Sequence, residues 1–397
     1  MMRFPWLIFL LIIFPVLAFA QYGTVTGVIT NAETKKPLAG ASVFLSNSSV
    51  GTASASDGRF TLNGIRPGQY NLTVTILGYQ DFTKDILVGR EPIRLDIEMT
   101  PKPLMLREVT ITSAADWKKN YEAFRKDFIG VDENAKSCVV ENPHILNLQF
   151  NRTKQTLEAS SDEFLIVDNK ALGYRVKFLL KGFASDHLAG VISWGGERLF
   201  EELPGNAAQK KKWHEKREEC YYGSAMHFFR DLYTNKLTED GFVMYHLNRQ
   251  LNPNRPPDDV IRKKANYFAD RRMVDSFNYM KELSTMSKYY KESLNKIPVM
   301  PYELFTTTEK QGVYAFHPLN YLYVVYTKRR DEVYNKDLYR PLDMTNYETS
   351  ILTMFDPGYT LFDMNGIVIG QPPLLEGAWS KSRLSDLLPV DYVPDVK

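Results

Sequence analysis

Between Tyr22 and Met99 the chain is a succession of short β-type runs cut by Gly and Pro, and this stretch constrains its folding most. The runs cover 24–30, 41–45, 70–77 and 93–99. In the first, Val25, Gly27 and Ile29 oppose Thr24, Thr26 and Val28; in the third, Leu72, Val74 and Ile76 oppose Asn71, Thr73 and Thr75. A period of two marks a half-buried strand, and the third run is the cleaner case. Turn signals separate the runs at Asn31-Ala32-Glu33-Thr34, Asp57-Gly58, Asn63-Gly64, Pro67-Gly68 and Gly78-Tyr79. About seven short strands at spacings of roughly 8–12 residues predict an all-β N-terminal sandwich over 21–100.

The individual motifs have structural readings. Asp57-Gly58 predicts a hairpin turn with Gly at positive φ, and Phe60 opens the next strand with its ring between the sheets. Pro67-Gly68 turns the chain into the Tyr70 strand. Taken in order, Gly27-Val28-Ile29, the 37–43 stretch Pro-Leu-Ala-Gly-Ala-Ser-Val, Ser56-Asp57-Gly58-Arg59-Phe60, Ile65-Arg66-Pro67-Gly68-Gln69-Tyr70 and Leu77-Gly78-Tyr79 resemble the carboxypeptidase regulatory-like domain. That family is a transthyretin-like sandwich common at the N-termini of envelope proteins in the Bacteroidetes. The resemblance implies an envelope setting. It implies no peptidase activity, because this domain accompanies some carboxypeptidases without being their catalytic part.

Residues 1–20 read as a signal peptide: Met1-Met2-Arg3, an apolar run from Phe4 to Phe19, and a small-x-small site at Ala18-Phe19-Ala20 that leaves Gln21 first. An uncleaved anchor is the alternative. No other window reaches the ~20 apolar residues of a spanning helix, so the mature chain is expected to have no transmembrane helix. The expected location is exported, in the periplasm or associated with the outer membrane. Export makes Cys138 and Cys220 a candidate disulfide; two unpaired, buried thiols are the other reading.

With 49 Lys and Arg against 47 Asp and Glu, the chain has a net charge of +2 and no basic stripe, which argues against nucleic acid as a partner. Lys210-Lys211-Lys212 is followed by Glu215, Glu218 and Glu219, the pattern of a solvated helix face.

After Met99, Thr100-Pro101-Lys102-Pro103 marks a linker over 101–114. Within it, Leu106-Arg107-Glu108-Val109-Thr110-Ile111 is similar to a stretch that follows this domain in TonB-dependent outer-membrane receptors. What remains is too short for a receptor's barrel. Residues 115–397 read as an α+β domain with an antiparallel sheet. Trp117, Tyr121, Phe124 and Phe128 recur at helical spacing behind a Ser113 or Asp116 cap. Strands are expected at 146–150, 164–167, 174–180, 190–200, 242–247 and 321–326, with turns near Asp168-Asn169 and Lys181-Gly182. A helix is expected over 273–295, and a type I′ hairpin at Asn365-Gly366.

The sharpest candidate for chemistry lies at 213–230. Trp213, Arg217 and Tyr221 share a helix face, Gly223-Ser224 breaks it, and Ser224 caps a second helix bearing His227 and Arg230. These residues could line a pocket for a carboxylate, phosphate or sugar, with an arginine in bidentate contact. Alternatively the aromatics are core and the arginines pair with acids such as Glu218 or Asp231. The same group of residues is similar to the C-terminal part found after this sandwich in other exported Bacteroidetes proteins, to which no activity attaches.

No histidine has Glu three residues on, Val191-Ile192-Ser193-Trp194-Gly195 lacks the first Gly of a serine-hydrolase elbow, and there is no phosphate loop or dinucleotide fingerprint. No catalytic residue, metal or cofactor is therefore expected. The reading is a non-catalytic binding or assembly protein with an envelope or outer-membrane protein partner. The alternatives are an accessory of an outer-membrane transport or assembly complex, and an enzyme of unrecognised class on 115–397.

Overall fold

The computed structural model describes residues 22–102, 113–152, 154–319, 321–331, 339, 345–355 and 358–395. Residues 1–20, read from the sequence as a signal peptide, and the 106–111 stretch lie outside the described residues. From the N-terminus the strands are β1 (Gly23–Asn31), β2 (Ser42–Leu45), β3 (Gly51–Ala53), β4 (Arg59–Ile65), β5 (Gly68–Thr75), β6 (Phe82–Val88), β7 (Ile93–Arg94) and β8 (Ile97–Met99). One sheet runs β4-β1-β7, with β8 also on β1, and the other runs β3-β2-β5-β6. Val25, Ile29, Phe60, Leu62, Leu72 and Val74 fill the space between them.

Two details differ from the sequence reading. Asp57-Gly58, with Gly58 at φ 77°, is a turn, but it carries the chain from β3 in one sheet to β4 in the other rather than closing a hairpin. And β1, not β5, alternates cleanly: Thr73 on β5 is fully buried. The reason is that the outer face of the β2–β5 pair is covered. Phe44, the cross-strand neighbour of Thr73, meets Phe164 edge-on at 5.7 Å, and Gly51 lies against Leu199.

C-terminal to the sandwich come α1 (Ala114–Phe128), capped by Ser113, and the single turn α2 (Glu133–Lys136). Strands β9 (Cys138–Val140), β10 (Asn147–Asn151), β11 (Thr156–Ser160), β12 (Phe164–Asn169), β13 (Tyr174–Asp186) and β14 (Val191–Glu202) form one antiparallel sheet. Lys181-Gly182 is a bulge, not a turn: the β13–β14 register shifts between Leu180 and Gly182 while the strand continues to Asp186. Phe124 and Phe128 of α1 pack on Phe178 and Phe183 of this sheet.

Helices α3 (Ala207–Tyr221) and α4 (Ala225–Thr234) lead to β15 (Phe242–Leu251), the helical hairpin α5 (Asp258–Asp270) and α6 (Val274–Thr285), and β16 (Tyr289–Pro298). The helix expected over 273–295 thus stops at Thr285. Residues 289–298 instead hydrogen-bond along β15, and that pairing overrides local preference. The remaining strands are β17 (Phe305–Thr307), β18 (Val313–Phe316), β19 (Tyr321–Arg330), β20 (Tyr347–Thr353), β21 (Thr360–Asp363), β22 (Val368–Ile369) and β23 (Leu374–Gly377). They complete two antiparallel sheets, β16-β15-β19-β20-β23 and β17-β18-β21-β22. The β21–β22 turn is not type I′, because Gly366 takes positive φ and Asn365 does not. Gly366 N–H donates to Asp363 O, and the Asp363 carboxylate accepts from the Asn365 and Ile367 amides.

The residues after β23 form a strap across three of the hydrophobic cores. Trp379 enters the core between the last two sheets, Leu384, Leu388 and Tyr392 enter the β9–β14 core, and Val390 enters the sandwich. Among the described residues no helix is long and apolar enough to cross a membrane.

Candidate functional site

The 213–230 region folds as its local signals dictate. Asn206 and Gln209 form a reciprocal capping box at the start of α3. Spacing of four then puts Trp213, Arg217 and Tyr221 on one buried face. Gly223, at φ 82°, lies so close to the Tyr326 ring that a Cβ would sit 2.6 Å from it. The Ser224 hydroxyl accepts from the His227 amide and starts α4.

Each side chain is committed to the protein itself. Trp213 Nε1 donates to Lys170 O at 2.9 Å, and its ring fills space left by Gly173 and Gly205. Arg217 lies 3.9 Å from the centre of the Tyr174 ring. Its Nε donates to Leu172 O (2.7 Å), Nη2 to Gly173 O (3.3 Å) and Nη1 to Glu202 Oε2 (3.2 Å). Lys210, together with Arg217, holds the Glu202 carboxyl below its ordinary range. Arg230 reaches across the chain: Nε to Asn365 O (2.8 Å), Nη1 to Tyr392 O (2.9 Å) and Nη2 to Val390 O (2.6 Å). Neither arginine pairs with the acids that sequence proximity suggests. Backbone carbonyls take five of the six bonds, and Glu202 takes the other.

The Tyr221 ring lies between His227, at 4.9 Å, and Tyr392, at 5.9 Å. Of the five residues, Tyr221 and Arg230 meet the strap and the β21–β22 turn, with His227 packed on Tyr221, while Trp213 and Arg217 hold instead to the turn between β12 and β13. A shallow hollow of about 360 Å³ lies elsewhere, between α1 and α2, beside Glu122, Arg125, Lys126 and Lys136. None of the five lines it.

His227, Asp231 and Asp240 bring three ligand atoms within 4.8 Å of one another, a grouping the sequence does not announce. His227 Nε2 is 3.0 Å from Asp231 Oδ2 and 3.9 Å from Asp240 Oδ2. The other ring nitrogen decides the chemistry. Nδ1 accepts the Gly223 N–H at 3.1 Å, so the proton of the neutral ring belongs on Nε2, the nitrogen nearer the two carboxylates. A metal-ligating histidine shows the opposite arrangement, with its second nitrogen donating. The donor set therefore does not suit a metal. It suits a buried His–Asp contact at 3.0 Å, with Asp240 anchored to Lys328 at 3.1 Å. Burial pushes the Asp231 carboxyl up, Asp240 adds to the rise and His227 opposes it.

Cys138 and Cys220 are free thiols. Asn134 stands between them, with its carbonyl accepting from Cys138 Sγ at 3.5 Å and its Nδ2 3.4 Å from Cys220 Sγ. Burial pushes both thiols up to about 12, so neither holds appreciable thiolate at neutral pH.

Fold and site define a β-sandwich joined to an α+β region of antiparallel sheets through a clamped C-terminal strap. The family model described as CarboxypepD_reg-like domain matches residues 25–111, which covers the sandwich. No curated protein matches the chain. Among solved structures, the group B streptococcus pilus 2b backbone protein is similar at 19% identity and a TM-score of 0.18, over 20% of this chain and 42% of that one. A type II cohesin–X-dockerin complex from Acetivibrio cellulolyticus is similar at 22% identity and 0.18, over 20% and 58%. The major pilin subunit of Bacillus cereus is similar at 18% identity and 0.18, over 21% and 31%. Each similarity spans less than two thirds of the solved chain.

Proposed function

We propose that this is an exported envelope protein with a non-catalytic binding or assembly role, in the periplasm or at the outer membrane. The observation that carries the reading is the bonding of Arg217 and Arg230. The side chains best suited to gripping a small anionic ligand spend every guanidinium nitrogen on the protein's own carbonyls and on Glu202. Arginines bound in this way stiffen a scaffold. The regulatory-like sandwich, over 21–100, supports the envelope setting and supplies no catalytic group. On this reading 101–114 is a linker and 115–397 carries the partner-binding surface.

The test is purification of the full chain from detergent-solubilised envelopes under native conditions, with mass and stoichiometry measured. A defined complex with one envelope protein supports the proposal. An outer-membrane transport or assembly complex as that partner supports the accessory form of the role. A partner-free monomer that turns over a small molecule overturns it.

A further inference from the structure

The helical hairpin of α5 and α6 is inserted between β15 and β16, and its helices pack chiefly on each other, around buried Ile261, Ala265, Met280 and Leu283. The rest of the chain holds it near its base. Asn252 Nδ2 donates to Ser287 O at 3.1 Å, Arg255 pairs with Asp258 at 2.7 Å and Arg262 with Asp186 at 2.9 Å, and Leu188 of the β13–β14 turn packs on the small core. The far end is bare: residues 270–275 are all exposed. Two kinds of side chain gather there. Tyr267, Met273 and Val274 keep 50%, 44% and 65% of their surface in water. Lys264, Tyr267 and Arg271 follow one helix face at spacings of three and four, and the Arg271 guanidinium lies 3.8 Å from the centre of the Tyr267 ring. Arg262 and Lys263 are paired with Asp186 and Asp259, whereas Lys264, Arg271 and Arg272 enter no ion pair among the described residues. Asp270 and Asp275 are the carboxylates at the turn, and the cations outnumber them.

We propose that this tip docks on an anionic phospholipid surface. Met273 and Val274 enter the boundary between headgroups and acyl chains, Tyr267 lies at headgroup level, and Lys264, Arg271 and Arg272 meet lipid phosphates. A single exposed apolar side chain is ordinary on a protein surface; apolar and unpaired cationic side chains gathered on one projecting turn mark a contact. The cations select an anionic surface, and their long apolar stems let the charged heads stay at the phosphates while the turn sinks below them. A turn only two helices wide enters a fluid surface without a matching socket. The contact is shallow and partly electrostatic, so it weakens as salt rises. It is independent of the protein-partner role proposed above, because vesicle affinity is read with no partner present.

The experiment uses the chain from Gln21 onward, which leaves out the apolar 4–19 run, and reads vesicle flotation at low and high salt. The chain should float with vesicles of phosphatidylglycerol and phosphatidylethanolamine, be released by high salt, and stay unbound with phosphatidylcholine alone. Arg271→Gln with Arg272→Gln should weaken binding roughly tenfold or more. Met273→Ser with Val274→Ser should weaken it by a similar factor. All four side chains are exposed, so both variants should melt at the wild-type temperature. Lys211→Gln with Lys212→Gln removes the same charge from exposed positions on α3 and should bind like wild type. Failure to bind phosphatidylglycerol vesicles, equal binding to phosphatidylcholine, wild-type affinity in both tip variants, or an equal loss in the α3 control would each overturn the proposal. An envelope protein held through the tip by a chain that binds no vesicle would overturn it too.

Discussion

The backbone N–H of Gly223 donates to Nδ1 of His227 at 3.1 Å, and this single bond assigns the tautomer of a buried histidine that faces two aspartates. The consequence is measurable. Nitrogen NMR of the imidazole should show the proton on Nε2. Stoichiometric zinc or manganese should leave the melting temperature unchanged, because Nε2 has no lone pair to offer. A metal-dependent rise in melting temperature that disappears in His227→Ala would refute the assignment.

Arg230 ties α4 to three carbonyls lying 135–162 residues away in sequence. Arg230→Ala strands those acceptors and should cost about 3 kcal/mol or more in denaturant unfolding. Arg230→Lys should recover less than half, since a lysine cannot reproduce the fork. Arg217→Ala should also destabilise, through loss of the Leu172 and Gly173 carbonyl bonds and of the Tyr174 contact. A ligand-binding role would instead leave both variants as stable as wild type.

Gly173 holds φ 68°, and a Cβ there would stand 2.1 Å from the Trp213 ring. Strain and overlap act together, so Gly173→Ala should cost about 2–4 kcal/mol. Gly190, also at positive φ but with open space around it, supplies the control. Its Ala variant should lose only the backbone contribution of ~1 kcal/mol.

Phe44 and Phe164 join the sandwich to the β9–β14 sheet edge-on. A double-mutant cycle to Leu at both positions should return a coupling of about 0.5–1.5 kcal/mol. Zero coupling would mean that the sandwich does not seat there in solution.

The two thiols should be nearly inert toward a thiol reagent at pH 8 in the folded protein and react fully in denaturant. Burial raises each to about 12, so the reactive thiolate is scarce until the surroundings open. Rapid labelling of either cysteine in the native state would contradict this.

Much of the site's local architecture was legible in the sequence. The Ser224 cap, the break at Gly223 and the shared face of Trp213, Arg217 and Tyr221 follow from spacing and side-chain chemistry within a few residues. The aspartates gathered around His227 were not legible as a group, since Asp240 approaches only through the loop after α4. Nor were the β16 strand and the buried outer face at Thr73, because each depends on a partner distant in sequence.

By itself, the sequence determined the N-terminal sandwich, the order of helices α3 and α4, and the shared helix face of Trp213, Arg217 and Tyr221. Those outcomes rest on periodicity, caps and turns, which act over a turn of helix or a pair of strands. Only the tertiary structure decided what the arginines hold. Five of their six acceptors are backbone carbonyls, of Leu172, Gly173, Asn365, Val390 and Tyr392, and a carbonyl has no side-chain signature to read. Every residue carries the same acceptor, so the choice among them falls to the packing that brings one within reach.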